Sequence, residues 1–136
     1  MNILFFLMPK SEVAYLFNDM TMRQVIEKFD YYKYSSMPIL DRKGRYVGTI
    51  TEGDVLRQLC KMNLDLKAAE EFPISSISRR TDNESVRITA NMEDIISKAV
   101  NQNFIPVVDD NNIFIGIITR KSIIEYFYIK SCSNEM

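Results

Sequence analysis

The sequence predicts an α+β fold made of two copies of a β-α-β-β-α unit. Sliding the 136-residue chain on itself by 68 positions aligns residues 38–56 with residues 106–124, with five identities and most apolar positions kept apolar. A shift of 70 positions aligns residues 22–28 with residues 92–98. Within each copy the apolar spacing alternates between the two-residue period of strands and the 3.6-residue period of helices. These three observations indicate a tandem duplication.

The first copy carries a start or turn signal at its element boundaries. Thr21 and Gln24 have capping-box spacing at the beginning of a run with helical periodicity. Gly44 ends a tight turn between two β-prone runs, and glycine suits the left-handed conformation that hairpin loops need. We therefore expect strands at 13–17, 37–40 and 46–51, a helix opened by Thr21, and a final helix at 52–62.

The second copy repeats this order with small substitutions. Asn91 stands where a helix cap is expected, and Asn112 replaces the hairpin glycine, asparagine being the next most tolerant residue at positive φ. We expect a strand at 86–88, a helix opened by Asn91, a hairpin around Asn112, and a final helix at 120–129.

The repeat also divides the chain into segments. The segment between the copies contains an acidic helical stretch at 66–72 and then Pro73 with several serines, which mark a connection. It is too short and too apolar for a free linker, so we expect the copies to pack together. The expected segments are an apolar lead-in or helix at 1–10, a first repeat at 11–63, a connector at 64–85, a second repeat at 86–130 and a tail at 131–136.

Composition excludes several classes of partner. With 17 basic and 18 acidic residues the net charge is -1, whereas a dedicated nucleic-acid binder normally has a strongly basic face. The apolar run at 3–8 follows no cation, is cut short by Pro9, and is far below the length of about 20 residues that spans a membrane. Cys60 and Cys132 form no CxxC motif and are typical of reduced thiols in a cytoplasmic protein.

The residue types also argue against catalysis. The chain contains no histidine, which removes the commonest general base and the commonest metal ligand. It has no paired catalytic carboxylates and no Walker-type glycine loop. We therefore expect no enzyme activity, no catalytic residue, no metal and no cofactor.

Two motifs resemble a known family. Residues 37–41 read Met-Pro-Ile-Leu-Asp, and residues 48–54 follow the pattern Gly-x-Ile-Thr-x-x-Asp from strand to helix. Together with the tandem β-α-β-β-α order, these motifs resemble a CBS domain pair, or Bateman module, over nearly the whole chain from Ser11 to about Ile129. The resemblance implies two repeats packed as a pseudo-twofold pair with two clefts, here standing alone without an effector domain.

The same resemblance implies a regulatory function. CBS pairs commonly bind adenine-containing ligands such as AMP, ADP, ATP, S-adenosylmethionine or cyclic di-AMP, and signal to an effector protein by a change of conformation. A ligand can do this only by binding one conformation more tightly than another. The alternative is a ligand-free module whose function is dimerisation or protein interaction.

The first strand-to-helix turn, at Gly48, Thr51 and Asp54, is the stronger candidate for ligand binding. The N–H groups at a helix start favour an anion, a threonine hydroxyl can donate to phosphate, and a carboxylate can accept from two ribose hydroxyls. The resemblance assigns ribose to Asp54 and phosphate to Thr51. The bland alternative is a plain helix cap, with Gly48 serving only close packing.

The second turn departs from this pattern. Ser122 replaces the carboxylate, which weakens or removes a ribose contact, while Arg120 and Lys121 place two cations in the first turn of a helix. The helix dipole disfavours cations there by about 0.3–1 kcal/mol each, which makes sense if an anion is held. The resemblance assigns phosphate to this turn through Thr119, Arg120, Lys121 and Ser122; the alternative is that both cations point to solvent.

Two further groups of residues follow from the resemblance. An adenine ring would lie beside the strand entries at Met37, Pro38, Ile105 and Pro106, although proline is also tolerated at strand starts for structural reasons. Arg79 and Arg80 in the connector can join the phosphate contacts, or can be plain surface cations.

The final helix of each repeat is unusually apolar. Helices 52–62 and 120–129 carry more apolar surface than one stripe facing the core requires. A surplus on both helices indicates a self-complementary patch, hence a homodimer with twofold symmetry. The alternative is that the N-terminal segment covers it.

Overall fold

The computed structural model describes residues 2–134, so the last two residues of the predicted tail lie outside it. By compactness the chain divides into two units: residues 14–82, called the first-repeat unit, and residues up to 13 with those from 83 on, called the second-repeat unit. The strands are β1 (Met8–Pro9), β2 (Leu16–Phe17), β3 (Ser36–Leu40), β4 (Tyr46–Thr51), β5 (Val86–Arg87), β6 (Phe104–Val108) and β7 (Phe114–Thr119). The helices are α1 (Met22–Tyr32), α2 (Glu52–Lys61), α3 (Leu66–Ala69), α4 (Met92–Ala99) and α5 (Arg120–Asn134).

The first-repeat unit is a three-stranded sheet in the order β2-β3-β4 with helices against it. β2 runs parallel to β3, and β3 pairs antiparallel with β4. The predicted capping box at the start of α1 is confirmed: Thr21 Oγ1 accepts from the N–H of Gln24, and Gln24 Oε1 accepts from the N–H of Thr21 at 2.9 Å. Two orphan N–H groups of α1 are thereby satisfied at once.

The hairpins of both repeats are built alike. Gly44 has φ of 85° and Asn112 has φ of 64°, so both adopt the left-handed conformation predicted for them. In each hairpin an aspartate, Asp41 or Asp109, accepts two backbone N–H groups across the turn on its Oδ1 atom. This shared bonding explains why the aspartate recurs at the same place in the repeat.

The second-repeat unit has four strands in the order β1-β7-β6-β5. The additional strand β1 comes from the N-terminal lead-in and pairs antiparallel with β7, where Pro9 lies opposite Gly116. A Cβ on Gly116 would collide with the carbonyl oxygen of Met8. Glycine at 116 therefore allows the strand to approach β7 closely.

Each unit is completed by a short segment with a 3₁₀ helix. Ile3 and Phe6, from the 3₁₀ helix Ile3–Phe6, are buried in the core of the second-repeat unit. Ile74 and Ile77, in and just after the 3₁₀ helix Ile74–Ser76, are buried in the core of the first-repeat unit. The lead-in of each repeat thus joins the unit formed by the other repeat.

Several element boundaries differ from the predicted ones. The predicted helix at 66–72 ends at Ala69, because Phe72 precedes a proline and such residues disfavour the helical conformation. The predicted strand at 13–17 contains only β2, since its first residue ends the 3₁₀ helix Lys10–Glu12. α5 runs on to Asn134 because no glycine or proline interrupts residues 130–134. The domain boundaries drawn from the repeat stay a prediction.

Candidate functional site

The β4–α2 turn carries a reciprocal cap. Thr51 Oγ1 accepts from the N–H of Asp54 at 3.0 Å, and Asp54 Oδ2 accepts from the N–H of Thr51 at 2.9 Å. Asp54 is 1% exposed and is the one charged residue among the buried side chains of residues 2–134. The capping alternative is therefore realised in the structure, and the carboxylate sits at the positive end of the α2 dipole.

The second carboxylate oxygen of Asp54 is also occupied. Asp54 Oδ1 accepts from Arg57 Nη2 at 2.6 Å and from the backbone N–H of Arg80 at 3.1 Å. A carboxylate offers about four acceptor positions, so three of them are in use. Two ribose hydroxyls could both bond to Asp54 only if one present partner left. Among these partners the Arg57 side chain is 53% exposed.

The connector forms a clasp over β4. Arg79 Nε donates to Asp82 Oδ1 at 2.7 Å, and the same Asp82 oxygen accepts from the N–H of Thr49 at 2.9 Å. A Cβ on Gly48 would lie 2.6 Å from Arg79 Nη2 and 2.7 Å from Asp82 Oδ1. Gly48 therefore leaves room for this ion pair, and we call Arg79, Arg80 and Asp82 the connector clasp.

Arg79 and Asp82 stabilise each other's charged forms. Hydrogen bonding to Asp82 is the main cause that raises the pKa of Arg79. For Asp82 burial works against the charged form, but hydrogen bonds from Arg79 and Thr49 outweigh it and lower the pKa of the carboxyl group. Both side chains therefore stay ionised at neutral pH, which keeps the clasp closed electrostatically.

Beside the clasp, the partly buried Tyr46 and the buried Thr49 form a polar pair. The Tyr46 hydroxyl lies 2.6 Å from Thr49 Oγ1. Burial raises the pKa of Tyr46 to about 12, although the hydrogen bond to Thr49 acts in the opposite direction. The phenol is thus neutral near β4 under ordinary conditions.

The β7–α5 turn is capped in one direction only. Thr119 Oγ1 accepts from the N–H of Ser122 at 3.1 Å, as Thr51 does in the first repeat. The Ser122 hydroxyl, however, donates to the carbonyl oxygen of Thr119 at 2.8 Å instead of accepting its N–H. Replacement of the carboxylate therefore reverses the direction of the second hydrogen bond and removes the buried charge.

The two cations of the second turn, Arg120 and Lys121, have different environments. Arg120 Nε donates to the carbonyl oxygen of Ala99 at 2.7 Å, at the C-terminal end of α4, where the helix dipole favours a cation. Lys121 is 84% exposed and lies 3.9 Å from Glu125. The unfavourable position of Arg120 at the start of α5 thus has a structural compensation, and its predicted phosphate contact stays a prediction.

The predicted adenine residues belong to the sheets. Met37 and Ile105 are fully buried in the cores of their own units. Pro38 and Pro106 alternate with them along β3 and β6 and are buried on the opposite faces of those strands. All four side chains are therefore buried within the sheets, and the adenine contact predicted for these residues stays a prediction.

Sequence reasoning missed two residues of the first site. Arg57 lies three residues after Asp54, a spacing at which helix side chains meet, and this signal was available. Asp82 shares the same spacing with Arg79, but its bond to Thr49 joins residues 33 positions apart. Only the folded chain brings the connector to β4.

Among residues 2–134 no three acidic or cysteine side chains cluster as a metal site would require. No helix in that part of the chain is long and apolar enough to cross a membrane.

Sequence comparisons find the same repeat. A family model described as CBS domain matches residues 7–61 and again residues 74–129, well over half of the chain. An uncharacterised protein of Methanocaldococcus jannaschii is 26% identical over an alignment of 148 positions, which spans 88% of this chain and 87% of that protein. Both family matches begin within the lead-in segments that carry the 3₁₀ helices.

Structure comparisons agree. The crystal structure of CbpB in complex with c-di-AMP superposes with a TM-score of 0.87 at 26% identity, covering 100% of this chain and 91% of that one. A CBS domain protein from Streptococcus pneumoniae TIGR4 gives a TM-score of 0.84 at 27% identity, with coverages of 92% and 85%. The α+β fold predicted from the repeat is confirmed.

Proposed function

Because the chain belongs to the CBS domain family, we propose that it is a regulatory module that binds an adenine nucleotide or adenosyl ligand and signals to a partner protein. The observation that carries the proposal is the buried Asp54 carboxylate at the start of α2, with Arg57 within hydrogen-bonding distance. A carboxylate and a guanidinium side by side suit a ribose and a phosphate of one ligand.

Binding at this turn involves an exchange of partners. A ribose hydroxyl takes the place of Arg57 Nη2 on Asp54 Oδ1, and the released guanidinium turns to the phosphate. Arg57 is half exposed, so its movement requires little repacking. The N–H groups at the start of α2 and the Thr51 hydroxyl add donors on the phosphate side. Asp54, Thr51 and Gly48 remain the proposed contacts of the first site.

The choice of ligand follows the structural neighbours. CbpB, at 26% identity, was crystallised with c-di-AMP, so cyclic di-AMP is the first ligand to test. AMP, ADP, ATP and S-adenosylmethionine share its adenine and ribose and complete the panel. The ligand acts as a regulatory effector, and no chemical step is assigned to the protein.

The second turn is proposed as the weaker site. Ser122 offers a hydroxyl where Asp54 offers a buried charge, and Arg120 is engaged with the end of α4. A phosphate bound there would accept hydrogen bonds from Thr119, from the N–H groups at the start of α5 and from Lys121. The Arg120 guanidinium could contribute only after leaving the carbonyl oxygen of Ala99. We therefore expect unequal affinities of the two turns.

The proposal includes a homodimer formed through α2 and α5. Leu56 on α2 is 58% exposed and Ile124 on α5 is 60% exposed, at repeat-related positions. Beside Leu56 lies a cavity of about 540 Å³ between α1, α2 and α3, lined mainly by apolar side chains. Exposed apolar surface of this kind on both helices favours self-association.

A thermal-shift assay tests ligand binding. At 100 times its dissociation constant, a ligand of the folded state stabilises it by about 2.7 kcal/mol, a readily measured rise in Tm. We expect such a rise with cyclic di-AMP or another member of the panel, and its loss in Asp54→Asn and Arg57→Ala. Arg120→Ala serves as the matched variant in the second repeat and should retain most of the shift.

Two other outcomes are informative. Loss of the shift in Arg120→Ala, with Asp54→Asn behaving like the parent chain, would place the site at the second turn. If no adenine compound changes the Tm, the ligand proposal fails and the dimerisation or interaction module takes its place.

A further inference from the structure

Asp54 is held by a part of the chain that precedes the second repeat. The N–H of Arg80 donates to Asp54 Oδ1 at 3.1 Å, so the connector bonds to the same oxygen on which the proposed function places a ribose hydroxyl in exchange for Arg57. Next to Arg80, the pair of Arg79 and Asp82 covers Gly48, the second proposed contact. The connector therefore adjoins the ligand at Asp54 and covers Gly48, where a ligand contact is proposed.

We propose that the connector clasp is an internal latch on the first site, which the ligand displaces and whose release transmits the signal. This inference rests on the proposed function and adds its regulation. The pair of Arg79 and Asp82 must move aside before any group can approach Gly48.

The clasp is well suited to open as one piece. Its contacts with β4 are few and polar: Asp82 Oδ1 with the N–H of Thr49 at 2.9 Å, and Arg79 Nη2 with the carbonyl oxygen of Val47 at 3.5 Å. The apolar anchor of the connector, Ile74 and Ile77, lies upstream in the core and need not move. Release is thus confined to residues 78–82, immediately before the second-repeat unit begins at Asn83.

The second repeat has no equivalent latch. There the position corresponding to Gly48 is Gly116, and it is covered by the backbone of β1, with Met8 paired to Ile117 in a ladder. A side-chain pair can swing away, whereas a paired strand has to lose backbone hydrogen bonds to do so. The regulation is therefore specific to the first turn.

Limited trypsin digestion of the full chain tests the latch, because trypsin cleaves after arginine and lysine. With saturating cyclic di-AMP we expect the rate of cleavage after Arg79 and Arg80 to rise about threefold to tenfold. This is the factor by which loss of one net hydrogen bond raises the population of the open connector. Cleavage after Arg42 and Lys43, in the exposed hairpin of the same unit, is the internal reference and should stay constant. Mass spectrometry identifies the sites.

The variant Asp82→Ala opens the clasp without a ligand. We expect it to raise cleavage after Arg79 and Arg80 by a similar factor and to lower the Kd for cyclic di-AMP about threefold to tenfold, since less has to be displaced. Asp19→Ala is the matched control: it breaks an equally short pair, Arg42 with Asp19 at 2.7 Å, away from the connector. It should change cleavage only after Arg42 and leave the Kd unchanged.

The outcomes separate the latch from the function. Protection of Arg79 and Arg80 by cyclic di-AMP, or an Asp82→Ala variant that binds equally or more weakly, overturns the latch and leaves the proposed function standing. Absence of binding of every adenine compound in the panel, to the parent chain and to Asp82→Ala alike, overturns the function and the latch with it. Should Asp82→Ala fail to fold, Gly48→Ala displaces the same two side chains from β4, and cleavage of this variant without ligand repeats the experiment.

Discussion

Asp54 and Ser122 stand at equivalent places in the two repeats but do different physical work. Asp54 accepts three hydrogen bonds on a buried charge, joining β4, α2 and the connector. Ser122 makes two local hydrogen bonds with Thr119 alone. The carboxylate is therefore structural in this fold as well as a proposed ligand contact, and mutations at Asp54 must be interpreted for both roles.

We expect Asp54→Ala to lower the free energy of unfolding by about 2–3 kcal/mol, through loss of a helix cap and of charge-assisted hydrogen bonds. Ser122→Ala, its repeat-related control, should cost less than about 1 kcal/mol because one neutral hydrogen bond is lost. Urea denaturation of both variants measures the difference. Equal losses would show that the connector bond to Asp54 contributes nothing to stability.

Tyr46 predicts a pH dependence at high pH. Its pKa is raised from 10.0 to about 12, so the unfolded chain loses the phenolic proton first as the pH rises. The stability that the neutral phenol contributes is complete below pH 10 and declines by up to about 2–3 kcal/mol as the pH rises to 12. Ultraviolet titration should show a late phenolate step that disappears in Tyr46→Phe; a late step that survives the substitution would contradict the assignment.

At the scale of elements, two equivalent glycines admit different neighbours. Gly48 makes room for two flexible side chains of the connector, whereas Gly116 makes room for the backbone of β1. β4 and β7 therefore match in sequence register, but different parts of the chain pack against them. The repeat in the sequence predicts that the two glycines are equivalent, but it does not predict which residues pack against each of them.

This difference predicts unequal costs of the same substitution. Gly116→Ala should destabilise the protein by about 1–3 kcal/mol, because a strand has to shift to relieve the overlap. Gly48→Ala should cost less, since the ends of Arg79 and Asp82 can move away. Thermal unfolding compares the two, and hydrogen exchange at Met8 should rise only in Gly116→Ala. Matching Tm values would argue that β1 contributes little.

At the scale of the molecule, the chain consists of two units whose lead-in segments are exchanged. Ile3 and Phe6 complete the core of the second-repeat unit, and Ile74 completes the core of the first-repeat unit. Neither repeat as drawn from the sequence alignment contains its whole core. We infer that a single repeat cut at the repeat boundary would lack buried apolar surface that it needs.

The proposed homodimer gives a prediction at the same scale. Leu56→Glu and Ile124→Glu each place a charge on an exposed helix face, so both should convert a dimer to a monomer while the Tm of the folded chain changes little. Ile88→Glu, at a partly exposed position outside α2 and α5, is the control. Light scattering after gel filtration measures the mass; a parent chain with the mass of a monomer would refute the dimer.

The sequence by itself determined the elements that the two repeats share and their order, but not the strand β1 of the lead-in. Local signals were sufficient for that: the capping box at Thr21, the positive φ of Gly44 and Asn112, and the apolar periods of strand and helix all depend on residues close together in the chain. The same motifs carried the family resemblance, which the comparisons confirm. The candidate residues at the two turns were also predicted from the sequence, because each turn is a short local motif.

Only the tertiary structure decided what those turn residues contact. The bonds of Asp54 to Arg80, of Asp82 to Thr49 and of Arg120 to Ala99 join residues more than 20 positions apart. No local propensity encodes such pairs, because their formation depends on where whole segments pack. The burial of Met37 and Ile105 in their own cores has the same origin, since the face of a strand that turns inward depends on which layer covers it.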